Sequence, residues 1–494
     1  MNGRTPLPAQ HETGHEELQL EIKHDYSSSH DGVVPLSARR GTWSHHVPLW
    51  ITLYAGFSYM ALGSELYSFG YSMHQMLLIV LVSSICYLLY ASPAAYLGAY
   101  RGQTHALMGR SVFGLTGSMI VSAFVLIAPL GWVGYQSNTL AVIWNGLYGW
   151  MPVLWIGVAI AVLNITNNIL GFTGITAFAR YVAGPVTVLW VLWMVVKALM
   201  QTGGHVLNSH LTGMATPLSV GIIAAIGFAT YGNEPDLFRY AKPHWKSVVP
   251  PLIAGLIIGQ ILFPLAGWIL AARIRSANFG QGIHEAVVFS LFGLSLLCFL
   301  LATATQVAVN DANYYESLNA GQNLFGGWSK WRRIYTCAII TVGGAFMAWW
   351  VPQSLNHFFR IATWLAVSVP TATVIMYVDQ LVLPRLLKID RRMANVPAWN
   401  QVARGNWPAI ASLLVGTGFG AWTSGVLPWQ DGNPYPGWGI GPFEAWLLAG
   451  GLYIVLAAAV SRAKNRTSLL GFPATALTTG QQSPDAAVAS EEPV

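Results

Sequence analysis

Runs of about twenty mostly apolar residues recur twelve times along this chain, the length a helix needs to cross the hydrocarbon of a bilayer. They fall at about 47–66, 73–97, 117–145, 151–170, 181–202, 215–236, 248–272, 286–312, 333–351, 357–381, 408–427 and 441–461. Inside lipid the backbone finds no water, so each run must satisfy its own N–H and C=O groups, and runs of this length do so as helices. The pattern therefore predicts an all-α polytopic membrane protein with about twelve transmembrane helices. Only 9% of the 494 residues are charged and 54% are hydrophobic, too little polarity to cover a soluble surface. Cys86, Cys298 and Cys337 all lie in apolar runs, which removes a disulfide framework.

The ends differ in kind. Residues 1–40 hold six acids from Glu12 to Asp31, four histidines (His11, His15, His24, His30) and a serine run, Ser27–Ser29. That polarity predicts a disordered cytoplasmic tail, and the histidines lack any strict metal-ligand spacing. A transporter domain over 41–466 and a second disordered cytoplasmic tail over 467–494 complete the expected organisation. Basic residues collect on the cytoplasmic side of membrane proteins. With the N-terminus inside, nineteen of the 25 Lys and Arg fall in inside segments, whereas Lys197, Arg273, Arg275 and Arg360 fall outside, and Arg4 and Lys23 lie in the tail. Both termini are then cytoplasmic.

A charge within the hydrocarbon costs at least ~2.5 kcal/mol, so intramembrane acids draw attention. Glu65 lies in span one, Glu234 and Asp236 at the end of span six, and Asp311 at the expected end of span eight. Span one holds Gly56 and Gly63; span six holds Gly221, Gly227, Gly232 and Pro235. Such punctuation in corresponding spans of two halves points to broken helices in inverted-repeat transporters, although glycine also serves close helix packing. In span three, Trp132 and Gln136 share a helix face, where an indole beside a carboxamide suits a flat heterocycle. The Asn310-Asp311-Ala312-Asn313 run either lines a cavity or caps a helix end.

Other classes fit poorly. A haem or copper enzyme needs histidines deep in its helices, and only His74 and His357 approach span interiors, near span starts. An ATP-driven pump needs a P-loop, and no GxxxxGK[ST] occurs. A secondary transporter, not an enzyme, remains, with a non-transporting membrane sensor as the alternative from another class. The pI near 9.1 reflects loop charges and does not imply nucleic acid.

Four segments in order carry a resemblance. Gly98-Ala99-Tyr100-Arg101-Gly102-Gln103-Thr104, continuing through Leu107-Met108-Gly109-Arg110-Ser111-Val112-Phe113-Gly114, resembles the loop after span two of nucleobase–cation symporters of the cytosine permease type. Gly131-Trp132 with Gln136, Pro235 to Ala241, and Asn310 to Tyr314 resemble that family's segments in spans three, six and eight. The resemblance covers about 40–460 and implies two inverted five-helix repeats plus two peripheral helices in a cell membrane. It implies import of a nucleobase or related planar heterocycle (cytosine, a purine, allantoin) with a proton or sodium, and no cofactor. The other reading on that fold is transport of an amino acid or vitamin precursor.

Carried over by position, Trp132 stacks on the ring, Gln136 hydrogen-bonds it, Phe228 or Tyr231 covers the other face, and Asn310, Asn313 or Tyr314 adds a polar contact. The family's sodium site uses carbonyls of broken span one, here near Gly56 and Met60, with adjacent hydroxyl residues on span eight. Here that pair is Ala308-Val309, with no hydroxyl. A carboxyl shielded from water can carry a proton instead, which makes Glu65 and Glu234 the coupling candidates.

Overall fold

A computed structural model describes residues 34, 36, 39–170, 179–202, 217–232, 234–324, 330–353, 355–387, 403–430 and 439–462. The two expected tails lie almost wholly outside the described residues. Among the described residues, eight helices are long and apolar enough to cross a membrane. The remaining four expected spans are two broken ones, the helix Val153–Leu170 and the helix Trp407–Thr423.

Span one is α1 (Val47–Tyr54) and α2 (Phe57–Ser68), separated by Ala55 and an extended Gly56. Span two is α3 (Met73–Arg101). Its start is a capping box in which the Ser72 hydroxyl accepts from the Gln75 N–H and the Gln75 side chain accepts from the Ser72 N–H. It ends on Gly102 in the left-handed conformation, φ 66°. The next helix, α4 (His105–Tyr148), bends at Gly114, where φ is 72° and a Cβ would run into the backbone of Ala403 and Gly405. Residues 105–113 thus form a short approach to span three.

Spans four and five are α5 (Val153–Leu170) and α6 (Gly184–Thr202). Span six is α7 (Leu218–Ala229) and α8 (Glu234–Phe238). Span seven runs from α9 (Trp245–Leu256) through a π-helical turn into α10 (Phe263–Ile274). Glycines let α2 and α10 touch at backbone distance: Gly63 lies against the Pro264 carbonyl and Gly267 against the Met60 carbonyl.

Span eight corrects the sequence reading. The run expected at 286–312 is two elements: α11 (Phe279–Ser290) and, after a turn with Phe292 and Gly293 at positive φ, α12 (Ser295–Leu324). The apolar residues of α11 merge with those of α12 in sequence, which hid the turn. The polar Asn310–Tyr314 run is consequently in mid-helix, not at a helix end, so the capping alternative falls. Outside the bundle core α11 is pinned by the Arg273–Glu285 ion pair at 2.9 Å and by Lys197 donating to the Phe289 carbonyl at 2.6 Å.

Spans nine and ten are α13 (Lys330–Trp350) and α14 (Leu355–Tyr377), the latter continuing through a π turn into α15 (Leu383–Leu387). Spans eleven and twelve, α16 (Trp407–Thr423) and α17 (Gly441–Arg462), pack on each other and on α14. α4 and α12 share the largest helix interface.

The segment after span two is a structural junction. The Arg101 guanidinium donates to the Gln380 side chain, and the His105 N–H donates to Asp236 Oδ2 at 2.7 Å. Arg110 Nε donates to Asn323 Oδ1 at 2.6 Å. Spans two, three, six, eight and ten are thereby tied at one end of the bundle.

Candidate substrate site

Helix ends leave carbonyls without intrahelical partners. The two breaks satisfy each other: Tyr54 on span one donates to the Ala229 carbonyl at 2.6 Å, and Tyr231 on span six donates to the Leu53 carbonyl at 2.8 Å. Gly232 has φ 92°, and a Cβ there would press on Val369. Its carbonyl accepts from Tyr90 and Thr373 at 2.9 and 3.0 Å. Glu234 holds the break from behind. Its oxygens accept from the Gly232 N–H at 3.1 Å and from Tyr87 at 3.0 Å, and share the single Tyr90 proton, whose oxygen is 2.6 Å away, with the Gly232 carbonyl. It faces span two and does not line the cavity described next.

That cavity lies beside both breaks. Trp132, Gln136, Phe228, Tyr231 and Asn313 line it together with Tyr59, Thr230, Val309 and Glu316. Pro129 and Leu365 complete the wall. Room remains for about one water molecule. Trp132 and Phe228 meet edge to face, centroids 5.2 Å apart and planes at 85°, and Tyr135 stands edge-on to both at 5.7 Å. A ring sandwiched between parallel aromatics needs planes about 7 Å apart, twice the carbon contact distance. One of the two aromatics must therefore turn to admit a ring.

The polar wall joins α4 to α12. Gln306 Nε2 donates to Gln136 Oε1 at 2.8 Å, and Asn310 Nδ2 donates to Ser137 Oγ at 3.0 Å. Asn313 Nδ2 reaches back to Asn310 Oδ1 at 3.5 Å. Asn310 is thus one residue removed from the cavity, whereas Asn313 is on it. The Tyr314 hydroxyl donates to the Ala161 carbonyl at 2.6 Å, away from the cavity.

Gly56 faces Gln306 and Val309 of span eight. The span-eight hydroxyls of Thr303 and Thr305 donate to carbonyls of their own helix at 2.6 and 2.9 Å, and the hydroxyl beside Gly56 is that of Ser58 on span one. The Met60 carbonyl faces span seven. Glu65 is half-buried as a residue; Tyr135 donates to its Oε1 at 3.4 Å, and its Oε2 is itself buried with no hydrogen-bond partner among the described residues.

Tyr59, Gln306 and Glu316 escaped the sequence reading. Gln306, Asn310 and Asn313 repeat at i, i+4 and i+7, a polar stripe on one helix face. Glu316 continues it by three. Ending span eight at residue 312 cut the stripe short.

Residues 33–441 match the model of the family described as permease for cytosine/purines, uracil, thiamine, allantoin. The chain belongs to this permease family. It is an integral-membrane secondary active transporter. The cytosine permease of Escherichia coli (strain K12) is 26% identical over 414 residues, 80% of this chain and 90% of that protein. A purine-uracil permease of Arabidopsis thaliana is 24% identical over 392 residues, 70% of this chain and 62% of its own length. Among solved structures, the hydantoin-bound closed form of Mhp1, a nucleobase-cation-symport-1 transporter, superimposes with a TM-score of 0.65 at 16% identity, over 89% of this chain and 99% of that one. A Na+-coupled sialic acid symporter gives 0.58 at 9% identity, over 92% and 96%. The fold is accordingly that of ten core helices in two inverted five-helix repeats, each opening on a broken span, plus two peripheral helices.

Proposed function

We propose that this permease imports a planar nitrogen heterocycle, a nucleobase such as cytosine or a purine or a relative such as allantoin, by symport with a cation across the plasma membrane, both termini cytoplasmic. The carrying observation is the convergence of Trp132, Phe228, Gln136 and Asn313 on one cavity at the paired breaks. The indole and phenyl supply stacking faces, and the carboxamides supply donors and acceptors for the ring edge. Tyr231 holds the break beneath them. No bond is made or broken in the substrate; lipid is the surrounding solvent.

For the coupling ion, a proton on Glu65 is the better supported reading. Glu65 keeps a buried oxygen without a hydrogen-bond partner among the described residues, and Tyr135 links it to Trp132 and Phe228. Every described contact of Glu234 is taken by the break and span two, and a sodium ion at Gly56 would find no span-eight hydroxyl turned toward it.

The test is uptake of radiolabelled cytosine, uracil, adenine, hypoxanthine and allantoin in cells lacking their own permeases, with and without sodium and at two pH values. Uptake of at least one ring by the wild type, lost by at least tenfold in Trp132→Ala, is expected; a fully buried aromatic contributes about 1.5 kcal/mol or more. Uptake that requires sodium would overturn the proton, and no uptake of any ring would overturn the substrate class.

A further inference from the structure

We propose that Gln306 sets the hydrogen-bonding polarity of the substrate site, a role that rests on the heterocycle reading above. Gln306 turns the Gln136 carboxamide so that its NH2 faces the cavity, and the site therefore favours a ring whose meeting nitrogen is bare over one whose meeting nitrogen carries hydrogen.

The geometry forms a directed chain with three links. The first is at the break of span one. α2 begins at Phe57 without any side-chain cap on Gly56, so its first N–H groups present the positive end of the helix. Gln306 Oε1 lies against Gly56: a Cβ built there would sit 2.8 Å from it. The oxygen is buried and has no hydrogen-bond partner among the described residues. A carbonyl oxygen belongs at the positive end of a helix, whereas an NH2 there would set donor against donor. The start of α2 thus decides which end of the Gln306 carboxamide points toward span one.

The second link follows directly. With its oxygen toward Gly56, Gln306 presents its NH2 to span three and donates to Gln136 Oε1 at 2.8 Å. Both side chains are about 1% exposed, so water does not compete for either group. The third link is what remains of Gln136. Its oxygen is engaged, while its NH2 makes no hydrogen bond to a described residue, and Gln136 lines the cavity. The ring therefore meets two N–H donors. Cytosine offers O2 and a bare N3 to such a group; uracil has hydrogen on N3. Adenine and hypoxanthine differ in the same way at N1.

This assignment also accounts for glycine at position 56 beyond the needs of the break. Any side chain there would collide with Gln306 Oε1 and push the carboxamide out of line. Gln306 acts through Gln136 and is a positioning residue, so the informative readout is discrimination between ligands, not total uptake.

The experiment measures KM and Vmax for the two pairs, cytosine against uracil and adenine against hypoxanthine, in cells expressing the wild type or Gln306→Met, normalised to transporter in the membrane. Methionine keeps the length and removes the hydrogen bond. The wild type should favour the member with the bare ring nitrogen by about tenfold in KM, the yield of one ordinary hydrogen bond. Gln306→Met should bring that ratio close to one, whatever change in Vmax the two members of a pair share. If Gln306→Met does not reach the membrane, Gly56→Ala is read instead and should lower the same ratio by displacing the carboxamide. A wild type that favours the N–H member, or a variant that keeps the wild-type ratio, overturns the inference and leaves the heterocycle reading intact. A wild type that carries none of the four rings overturns the inference; if it carries allantoin the heterocycle reading survives, and if it carries no ring at all that reading falls too.

Discussion

Glu65 and Glu234 belong to the second halves of the two broken spans, and both are carboxyls in an apolar bundle. Their surroundings are opposite. Glu234 is fully buried and accepts from three donors: the Gly232 N–H and the hydroxyls of Tyr87 and Tyr90. Glu65 accepts one long hydrogen bond from Tyr135 and keeps one buried oxygen without a hydrogen-bond partner among the described residues. A saturated carboxyl fixes geometry, since any change in its protonation or position strands donors that water cannot reach. An unsaturated one, with an oxygen already lacking a partner, is free to change partners during a transport cycle.

The sharpest way to break this contrast is Glu234→Ala. It strands the N–H of the left-handed Gly232 and takes the acceptor from the Tyr87 hydroxyl, whereas Tyr90 keeps the Gly232 carbonyl, at about 1–3 kcal/mol for each group left unsatisfied. The expected total loss is about 2 kcal/mol or more, read as a large fall in thermal midpoint in detergent or as failure to recover folded transporter. A variant that keeps the wild-type midpoint would show that the clamp on span six contributes nothing. Glu65→Ala, measured alongside, should leave the midpoint nearly unchanged.

Glu65→Gln tests the other side. If Glu65 carries the coupled proton, uptake in the wild type rises as pH falls, by at most about tenfold per unit for one proton. The amide cannot take up a proton in this range, so the variant should give a flat profile between pH 5 and 8 while folding normally. An unchanged pH dependence in Glu65→Gln would remove this residue from coupling.

How much of this was legible follows from where the signals are local. The breaks were, because Gly56, Gly232 and Pro235 announce a backbone interruption within a few residues. Trp132 and Gln136 were, because four residues on a helix is one turn. The turn at Phe292–Gly293 was not, since the apolar face of α11 continues into α12 without a polar boundary, and with it the stripe from Gln306 to Glu316 was lost. The difference between Glu65 and Glu234 was not legible either. It is made by Tyr87, Tyr90 and Tyr135, which are 147, 144 and 70 residues away from the carboxyls they serve. Nothing in the spacing of one span reports on partners supplied by another.

The smallest effect concerns the two tyrosines that tie the breaks together. Tyr54→Phe removes the hydrogen bond to the Ala229 carbonyl, and Tyr231→Phe removes that to the Leu53 carbonyl. Each leaves an orphan helix-end carbonyl, at about 1 kcal/mol of stability for an ordinary hydrogen bond. The two differ in one respect: Tyr231 lines the cavity and accepts from Tyr59 at 3.3 Å, whereas Tyr54 is set behind it. Tyr231→Phe should therefore raise KM as well as lower the thermal midpoint, and Tyr54→Phe should lower the midpoint alone. Because both bonds join the same pair of breaks, losing the first loosens the geometry on which the second depends. The double variant should then lose less than the sum of the two single ones, by about 0.5 kcal/mol or more in a double-mutant cycle. Strict additivity would mean that each carbonyl is satisfied on its own and that the paired breaks do not act as one joint.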